Sequence, residues 1–316
     1  MGKHSRKYVL SAIIFLVILL ISSLSFYSIK HSSDKAKAQA AAQAVKEKEA
    51  ENQRKLYEAK KTEEAKKAED EKLQAEKIKI EEAIKGEGKS RDIPVLMYHS
   101  IAYEKGNELR IPKEKFRLQM KYLKDNGFTT LTLNELYDHL VYGSELPKKP
   151  IVITLDDGYV DNYTNALPVL KEFNLKATVF MITSCIDTDN RYLTSNQLQE
   201  MDKSGMEIES HTVSHPELNK LSYDVQLSQL KDSKTTLEKV LGREVPYIAY
   251  PYGKFNTDTL KIVENLGYKM GFSTITGTAS KANGLFKLHR LYVSNKYDMN
   301  NFIKLVNISA ATNFKS

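Results

Sequence analysis

The 316-residue chain has one cysteine, Cys185, and no tryptophan. A single thiol excludes an intramolecular disulfide. It does not place the protein in a reducing compartment, because a region the size of 91–316 buries enough apolar surface to stand without cross-links. Cys185 reads as a small packed residue near a strand end rather than as a nucleophile. Net charge is also scarce outside the N-terminal region. Residues 1–90 carry 19 basic and 14 acidic residues, and the remainder carries 28 and 26. The overall charge of +7 therefore sits mostly in the N-terminal region, and the rest lacks the basic footprint of a nucleic-acid binder.

The stretch 34–90 has no proline, and no glycine before Gly86. It is built of Ala, Lys, Glu and Gln, strong helix formers with Glu and Lys at helical spacings. Its large apolar residues, among them Val45, Leu56, Leu73, Ile78, Ile80 and Ile84, are too sparse for a heptad seam. A solvated helical stalk fits better than a tight coiled coil. Fully helical, some fifty residues would reach about 75 Å. Gly86-Glu87-Gly88 ends it. Before the stalk, Tyr8–Tyr27 contains no charge and follows Lys3, Arg6 and Lys7. That length suits a membrane-spanning helix with its basic end inside, an uncleaved signal anchor that would hold the rest outside the cell. A cleaved signal peptide and secretion is the alternative, but no small-x-small cleavage site stands out. The expected organisation is a tip and anchor over 1–33, a stalk and linker over 34–90, and a folded domain over 91–316.

From Ile93 onward, strand-like runs alternate with helix-like ones. Strands are predicted at 94–101, 151–155, 177–182, 206–209, 247–250, 268–273 and 288–293. Helices are predicted near 112–126, 132–141, 160–172, 194–205, 222–241 and 257–266, with a last one starting near Asp298. Repeated strand–helix units imply a parallel sheet, and seven or eight strands suggest a barrel. The chemistry of such a barrel gathers at the C-terminal ends of its strands.

Asp156-Asp157-Gly158 closes the run Ile151-Val152-Ile153-Thr154-Leu155. His211 and His215 follow another strand, four residues apart, a spacing that on a turn of helix puts both imidazoles on one face. Taken alone the acids could be a helix N-cap pair, and the histidines could be core or capping residues. Together, two histidines and a carboxylate with open positions suit a catalytic divalent ion, with Zn favoured and Co, Ni or Mn possible. The second carboxylate is then free to take a proton from a water beside the ion. Glu207 and Glu209 are nearby but not needed.

Thr154-Leu155-Asp156-Asp157-Gly158, Ser210-His211-Thr212-Val213-Ser214-His215-Pro216 and Tyr250-Pro251-Tyr252-Gly253 resemble three motifs of the polysaccharide deacetylases with a NodB homology domain, carbohydrate esterase family 4. The resemblance spans about 91–300. It implies a distorted (β/α) barrel, a metal held by Asp157, His211 and His215, Asp156 as general base, and the backbone N–H of Tyr252 at the acetyl oxyanion. The sequence departs from the common form twice. Ala249 stands where that form has an arginine contacting the base, so the base must be held otherwise. There is also no tryptophan for the fourth motif. Both departures, with Pro94-Val95-Leu96-Met97-Tyr98-His99-Ser100-Ile101, resemble the branch that deacetylates poly-β-1,6-N-acetylglucosamine of the biofilm matrix. By that resemblance His99 is the general acid, and His289 is its competitor. Tyr98, Tyr159 and Tyr252 are candidates to stack on a sugar ring. Asn162 and Pro168 look structural, and His139 reads as a surface residue. The implied activity is metal-assisted removal of N-acetyl groups from a polymer containing N-acetylglucosamine. Peptidoglycan is the second substrate, and an inactive carbohydrate-binding surface protein is the reading of another class.

Overall fold

In a computed structural model the chain is described continuously over 91–312, with side chains to residue 307, and at helical positions between 16 and 71 of which 46–64 is the longest run. The chain divides into two units, Met1–Lys77 and Ile78–Ser316. Most of the Tyr8–Tyr27 segment lies outside the described residues. Among those described, no helix is long and apolar enough to cross a membrane. The run 46–64 is helical and exposed throughout, and Arg54 pairs with Glu58, and Lys55 with Glu51, one turn apart, as its composition predicts.

The second unit holds eight strands: β1 (Val95–Tyr98), β2 (Thr129–Thr130), β3 (Pro150–Asp157), β4 (Thr178–Met181), β5 (Glu207–Ser210), β6 (Tyr247–Ala249), β7 (Met270–Thr276) and β8 (Leu288–Tyr292). Every pairing between these strands is parallel. The order runs β1-β8-β7-β6-β5-β4-β3, and β1 pairs β3, so seven strands close a barrel. The two-residue β2 extends the sheet beside the start of β3. It escaped the sequence reading because so short a segment has no period to detect. All eight residues of β3 are buried, which is why this strand is a continuous apolar run rather than an alternating one.

The helices are α1 (Lys113–Asp125), α2 (Leu133–Tyr142), α3 (Leu167–Phe173), α4 (Ser195–Lys203), α5 (Tyr223–Leu241), α6 (Thr257–Asn265) and α7 (Met299–Thr312). Local chemistry sets their ends. Thr132 and Glu135 form a capping box at the start of α2, and Thr194 and Gln197 form one at the start of α4, each satisfying two otherwise unpaired backbone N–H groups. α2 and α5 stop at Gly143 and Gly242, both left-handed, a conformation glycine adopts without steric cost. On α1, Phe116, Met120 and Leu123 are buried, the face expected from their spacing.

Two expectations are corrected. His139 is buried, not superficial. Its Nδ1 lies 2.7 Å from the Ser144 carbonyl, and Arg91 N–H donates to its Nε2. It therefore ties the entry of the domain to the end of α2. Tyr98 is also fully buried, edge-on to Phe116, with its hydroxyl donated to Gln119. No sugar can reach it.

Because the barrel strands are parallel, the ends of β1, β3, β5 and β6 share one rim. Glu207 and Glu209 serve the other end. Glu207 accepts from the N-terminal N–H of α2 at Leu133 and from Thr178. Glu209 pairs with Arg243 and accepts from Tyr247 N–H. They line a cavity of about 530 Å³ with Asn134, Asp202, Arg243 and Lys269. Their carboxylates are already partnered, and the cavity lies away from the histidine pair.

Candidate active site

The turn after β5 carries both histidines, and it is not helical as the spacing suggested. Thr212 and His215 have φ of 67° and 58°. A β-branched residue in this region is strained and persists only where its surroundings hold it. Thr212 is held: its carbonyl accepts from Thr183 N–H and its hydroxyl accepts from His215 N–H. The Gln229 side chain accepts from Val213 and Ser214 N–H. The rings of His211 and His215 end up 4.8 Å apart, centroid to centroid.

Asp157 faces them from the end of β3, where its own φ is 75°. Its Oδ1 lies 3.4 Å from Nε2 of His211 and 3.4 Å from Nε2 of His215. One ligand atom from each residue falls within 4.8 Å of the others. His211 is pinned by its other nitrogen, with Nδ1 2.7 Å from the Ala249 carbonyl. That bond places the proton on Nδ1 and turns the Nε2 lone pair inward, as metal-binding histidines require. Asp157 Oδ1 is buried and makes no hydrogen bond. A buried carboxylate oxygen without a donor is costly unless a cation faces it. The three residues thus fit a divalent ion. Burial pushes the Asp157 carboxyl up, but His211 and the neighbouring imidazoles hold it well below the usual carboxylate range. Burial and the nearby His211 lower His215 to about 4. His211 is raised despite its burial, because the carboxylates of Asp157 and Asp156 lie beside it.

Asp156 is buried beside this cluster. Its two oxygens each accept from a terminal nitrogen of Arg290, both at 2.7 Å. Burial opposes ionisation, but the guanidinium outweighs it, and the Asp156 carboxyl is lowered. Ala249 leaves Asp156 without an arginine from β6, and β8 supplies one instead. The sequence carried no signal for this contact: Arg290 stands beside His289, the residue singled out there.

His99 follows β1. It is half-buried, its buried Nδ1 has no hydrogen-bond partner, and burial lowers its pKa against the pull of Asp156 and Asp157. Asn162 donates to the His99 carbonyl, so this structural-looking residue sets the approach of His99 to the site. His289 is half-buried, with Nδ1 2.9 Å from where a Cβ on Gly277 would lie. It is one residue from Arg290 and so projects from the opposite face of β8.

On the rim, Tyr252 is 58 % exposed and its ring lies 4.6 Å from that of His215. Its φ of 56° and the adjacent Gly253 at 65° make a left-handed turn. A Cβ on Gly253 would fall 2.5 Å from Thr274 N, so only glycine lets the turn lie this close to β7. Tyr159 stacks on Tyr192 at 5.1 Å, and the Arg110 guanidinium lies 5.2 Å over its ring. With its ring so engaged, Tyr159 offers the site its hydroxyl edge more than a face for stacking. Cys185 lies half-buried in a short turn after β4, and burial raises its thiol pKa, which suits a packing role.

Residues 143–271 match the family profile described as polysaccharide deacetylase. The chain is 45 % identical over 206 residues to YxkH of Bacillus subtilis, named for the polysaccharide deacetylases, covering 65 % of this chain and 73 % of that one. It is 30 % identical over 200 residues to the poly-β-1,6-N-acetyl-D-glucosamine N-deacetylase of Staphylococcus aureus, covering 58 % and 68 %. The structure of the Streptococcus pyogenes deacetylase PplD in complex with acetate superposes with a TM-score of 0.66 at 36 % identity, over 68 % of this chain and 98 % of that one. Sequence likeness over most of a relative's length and a shared barrel lead to one conclusion: the chain belongs to the polysaccharide deacetylase family.

Proposed function

We propose that this deacetylase removes N-acetyl groups from poly-β-1,6-N-acetylglucosamine. The observation that carries the hydrolytic reading is the juxtaposition of the Asp157–His211–His215 cluster with a buried carboxylate, Asp156, and a half-buried imidazole, His99. The polymer is suggested by the likeness to the staphylococcal enzyme and by the Met97-Tyr98-His99 opening.

In this reading Asp157, His211 and His215 hold a divalent ion. Such an ion, zinc by the nature of its ligands, supplies a Lewis acid for the acetyl carbonyl and lowers the pKa of water. Asp156, ionised under the influence of Arg290, accepts the proton of the attacking water. The backbone N–H of Tyr252, on its left-handed turn, meets the developing oxyanion. His99 donates a proton to the nitrogen that leaves, which would otherwise depart as a poor anionic leaving group. Tyr252, exposed beside His215, gives the sugar an aromatic surface.

We also infer that the apolar run Tyr8–Tyr27 holds the enzyme at the outer face of the cell membrane. Support comes from its length, its lack of charge and the basic residues before it. Surface proteolysis of intact cells tests this: an enzyme that survives proteolysis until the cells are lysed is not outside.

The substrate is tested by measuring acetate and free amine released from purified poly-β-1,6-N-acetylglucosamine and from purified peptidoglycan. Release from the first polymer is expected. Release from peptidoglycan alone would overturn the preference. A protein that bound the ion and both polymers but released no acetate would be a binding protein.

A further inference from the structure

The chain just after β1 is held by three side chains from one short turn. Asp161 is buried, and its carboxylate accepts from the Ser100 hydroxyl and from Ile101 N–H, both at 2.6 Å. Asn162, fully buried, donates to the His99 carbonyl at 2.9 Å, and Asn165 donates to the Ile101 carbonyl at 2.9 Å. Residues Asn162–Ala166 form a single π turn, closed by Leu167 N–H on the Asn162 carbonyl. Such turns are rare, wider than an α turn, and frequent at functional sites. This one presents Asp161, Asn162 and Asn165 together to residues 99–101. From the other side, Arg110 donates to the Ser100 hydroxyl oxygen at 3.3 Å, and Ile111 N–H bonds the Ser100 carbonyl.

We propose that Asp161 is a positioning residue for the reaction, acting through His99. β1 fixes the approach to His99, since Tyr98 pairs with Leu155 of β3. Asp161 and Asn162 fix the departure: the peptide after His99 and the two residues that follow cannot turn without breaking their bonds. The backbone of His99 is thus held from both sides. Its ring depends on this, because Nδ1 is buried without a partner and no hydrogen bond at that nitrogen steers it. A carboxylate suits the task better than a neutral acceptor. Its two oxygens take the hydroxyl and the N–H at once, and an ionised acceptor makes bonds roughly twice as strong as a neutral one. The stretch 156–162 therefore carries the base, a metal ligand and the clamp on the acid, and the three move as one piece.

The inference rests on the proposed reaction with His99 as its acid. Two substrates separate this role from general damage. An N-acetylglucosamine oligomer needs a proton on its leaving nitrogen. 4-Nitrophenyl acetate gives the same acetyl group to water and loses a phenolate, which departs without one. Metal content, kcat and KM are measured for Asp161→Ala, Asp161→Asn, His99→Ala and the double variant His99→Ala/Asp161→Ala. Asp161→Ala is expected to lose about 10- to 100-fold in kcat on the oligomer, the scale on which a small misplacement of a reacting group acts. KM and metal content should be unchanged. On the aryl ester the loss should be under about threefold, and His99→Ala should show the same split. Asp161→Asn keeps the shape without the charge and should fall between wild type and Asp161→Ala on the oligomer. The double variant should be no slower there than His99→Ala, because Asp161 acts only through His99, and this comparison decides even if the ester is a poor substrate.

Unchanged kcat in Asp161→Ala, equal losses on both substrates, loss of the metal, or multiplicative losses in the double variant would overturn the proposal. Should Asp161→Ala fail to fold, Asp161→Asn decides: a folded variant with wild-type kcat on the oligomer overturns the role, and one with reduced kcat at unchanged KM and metal content supports it. A His99→Ala that keeps its rate on the oligomer would instead sink the acid assignment, and this proposal with it. A wild type that releases no acetate from any N-acetylated glycan would sink the deacetylase reading itself.

Discussion

Arg290 and His289 are neighbours in β8 and serve opposite faces of it: Arg290 is wholly buried on Asp156, and His289 is half-buried over Gly277. Period-two alternation separates them. His289→Ala should therefore keep wild-type kcat to within about twofold, as for substitutions away from special features. His99→Ala should lose about 10²–10⁴ in kcat, the usual contribution of a positioned acid. Acetate release by both variants decides, and the reverse pattern would reassign the acid.

The two adjacent acids should fail in different ways. Asp157→Ala removes the ligand whose Oδ1 faces both histidines, and the protein should purify without its ion. Asp156→Asn should keep the ion and lose about 10²–10⁴ in rate. It should also unfold more easily, by about 3–5 kcal/mol, because Arg290 is left buried without a counter-charge. Elemental analysis, thermal unfolding and acetate release separate the two. A fully active Asp156→Asn would refute the base assignment.

Metal binding should depend on pH through His211 before His215. In the metal-free site His211 is raised above its ordinary value and His215 is lowered to about 4. A proton on His211 occupies the nitrogen the ion needs, so affinity should climb as pH rises through the raised His211 value and then level off. His215 is already neutral there and adds its own dependence only near about pH 4. Zinc titration calorimetry in buffers of different ionisation enthalpy counts the protons released. Release that does not change between pH 6 and pH 8 would contradict this assignment.

Gly253→Ala and Gly267→Ala make an internally controlled pair. Both glycines have positive φ, at 65° and 73°. A Cβ at Gly267 meets nothing within 4 Å, whereas at Gly253 it meets Thr274 N at 2.5 Å. Gly267→Ala should lose about 1 kcal/mol of stability from backbone strain alone, with activity intact. Gly253→Ala should lose more, and kcat should fall with it because Tyr252 is displaced. Equal effects on activity would remove Tyr252 from the reaction.

Much of the fold was legible because its signals are local. Thr132 and Thr194 announce helix starts through hydrogen bonds to residues three positions on, and Gly143 and Gly242 announce stops. The apolar run of β3 marks a strand buried on both faces. The meeting of Asp157, His211 and His215 was legible too, since Asp157 ends one strand and His211 and His215 follow another, and parallel strands bring such ends together. The path between the histidines was not, because the left-handed turn at Thr212 is imposed by Thr183, Gln229 and His215 from outside the motif.

What the sequence determined by itself was the seven strands of the barrel and its helices, their order and the rim on which Asp156, Asp157, His99, His211 and His215 meet. Only the tertiary structure decided what holds Asp156. The contact between Asp156 and Arg290 joins positions 134 residues apart, and it exists because β1 closes the ring by pairing with both β3 and β8. Closure chooses which face of β8 turns inward. Periodicity says that His289 and Arg290 must differ in direction, but only the closed barrel says which one meets Asp156.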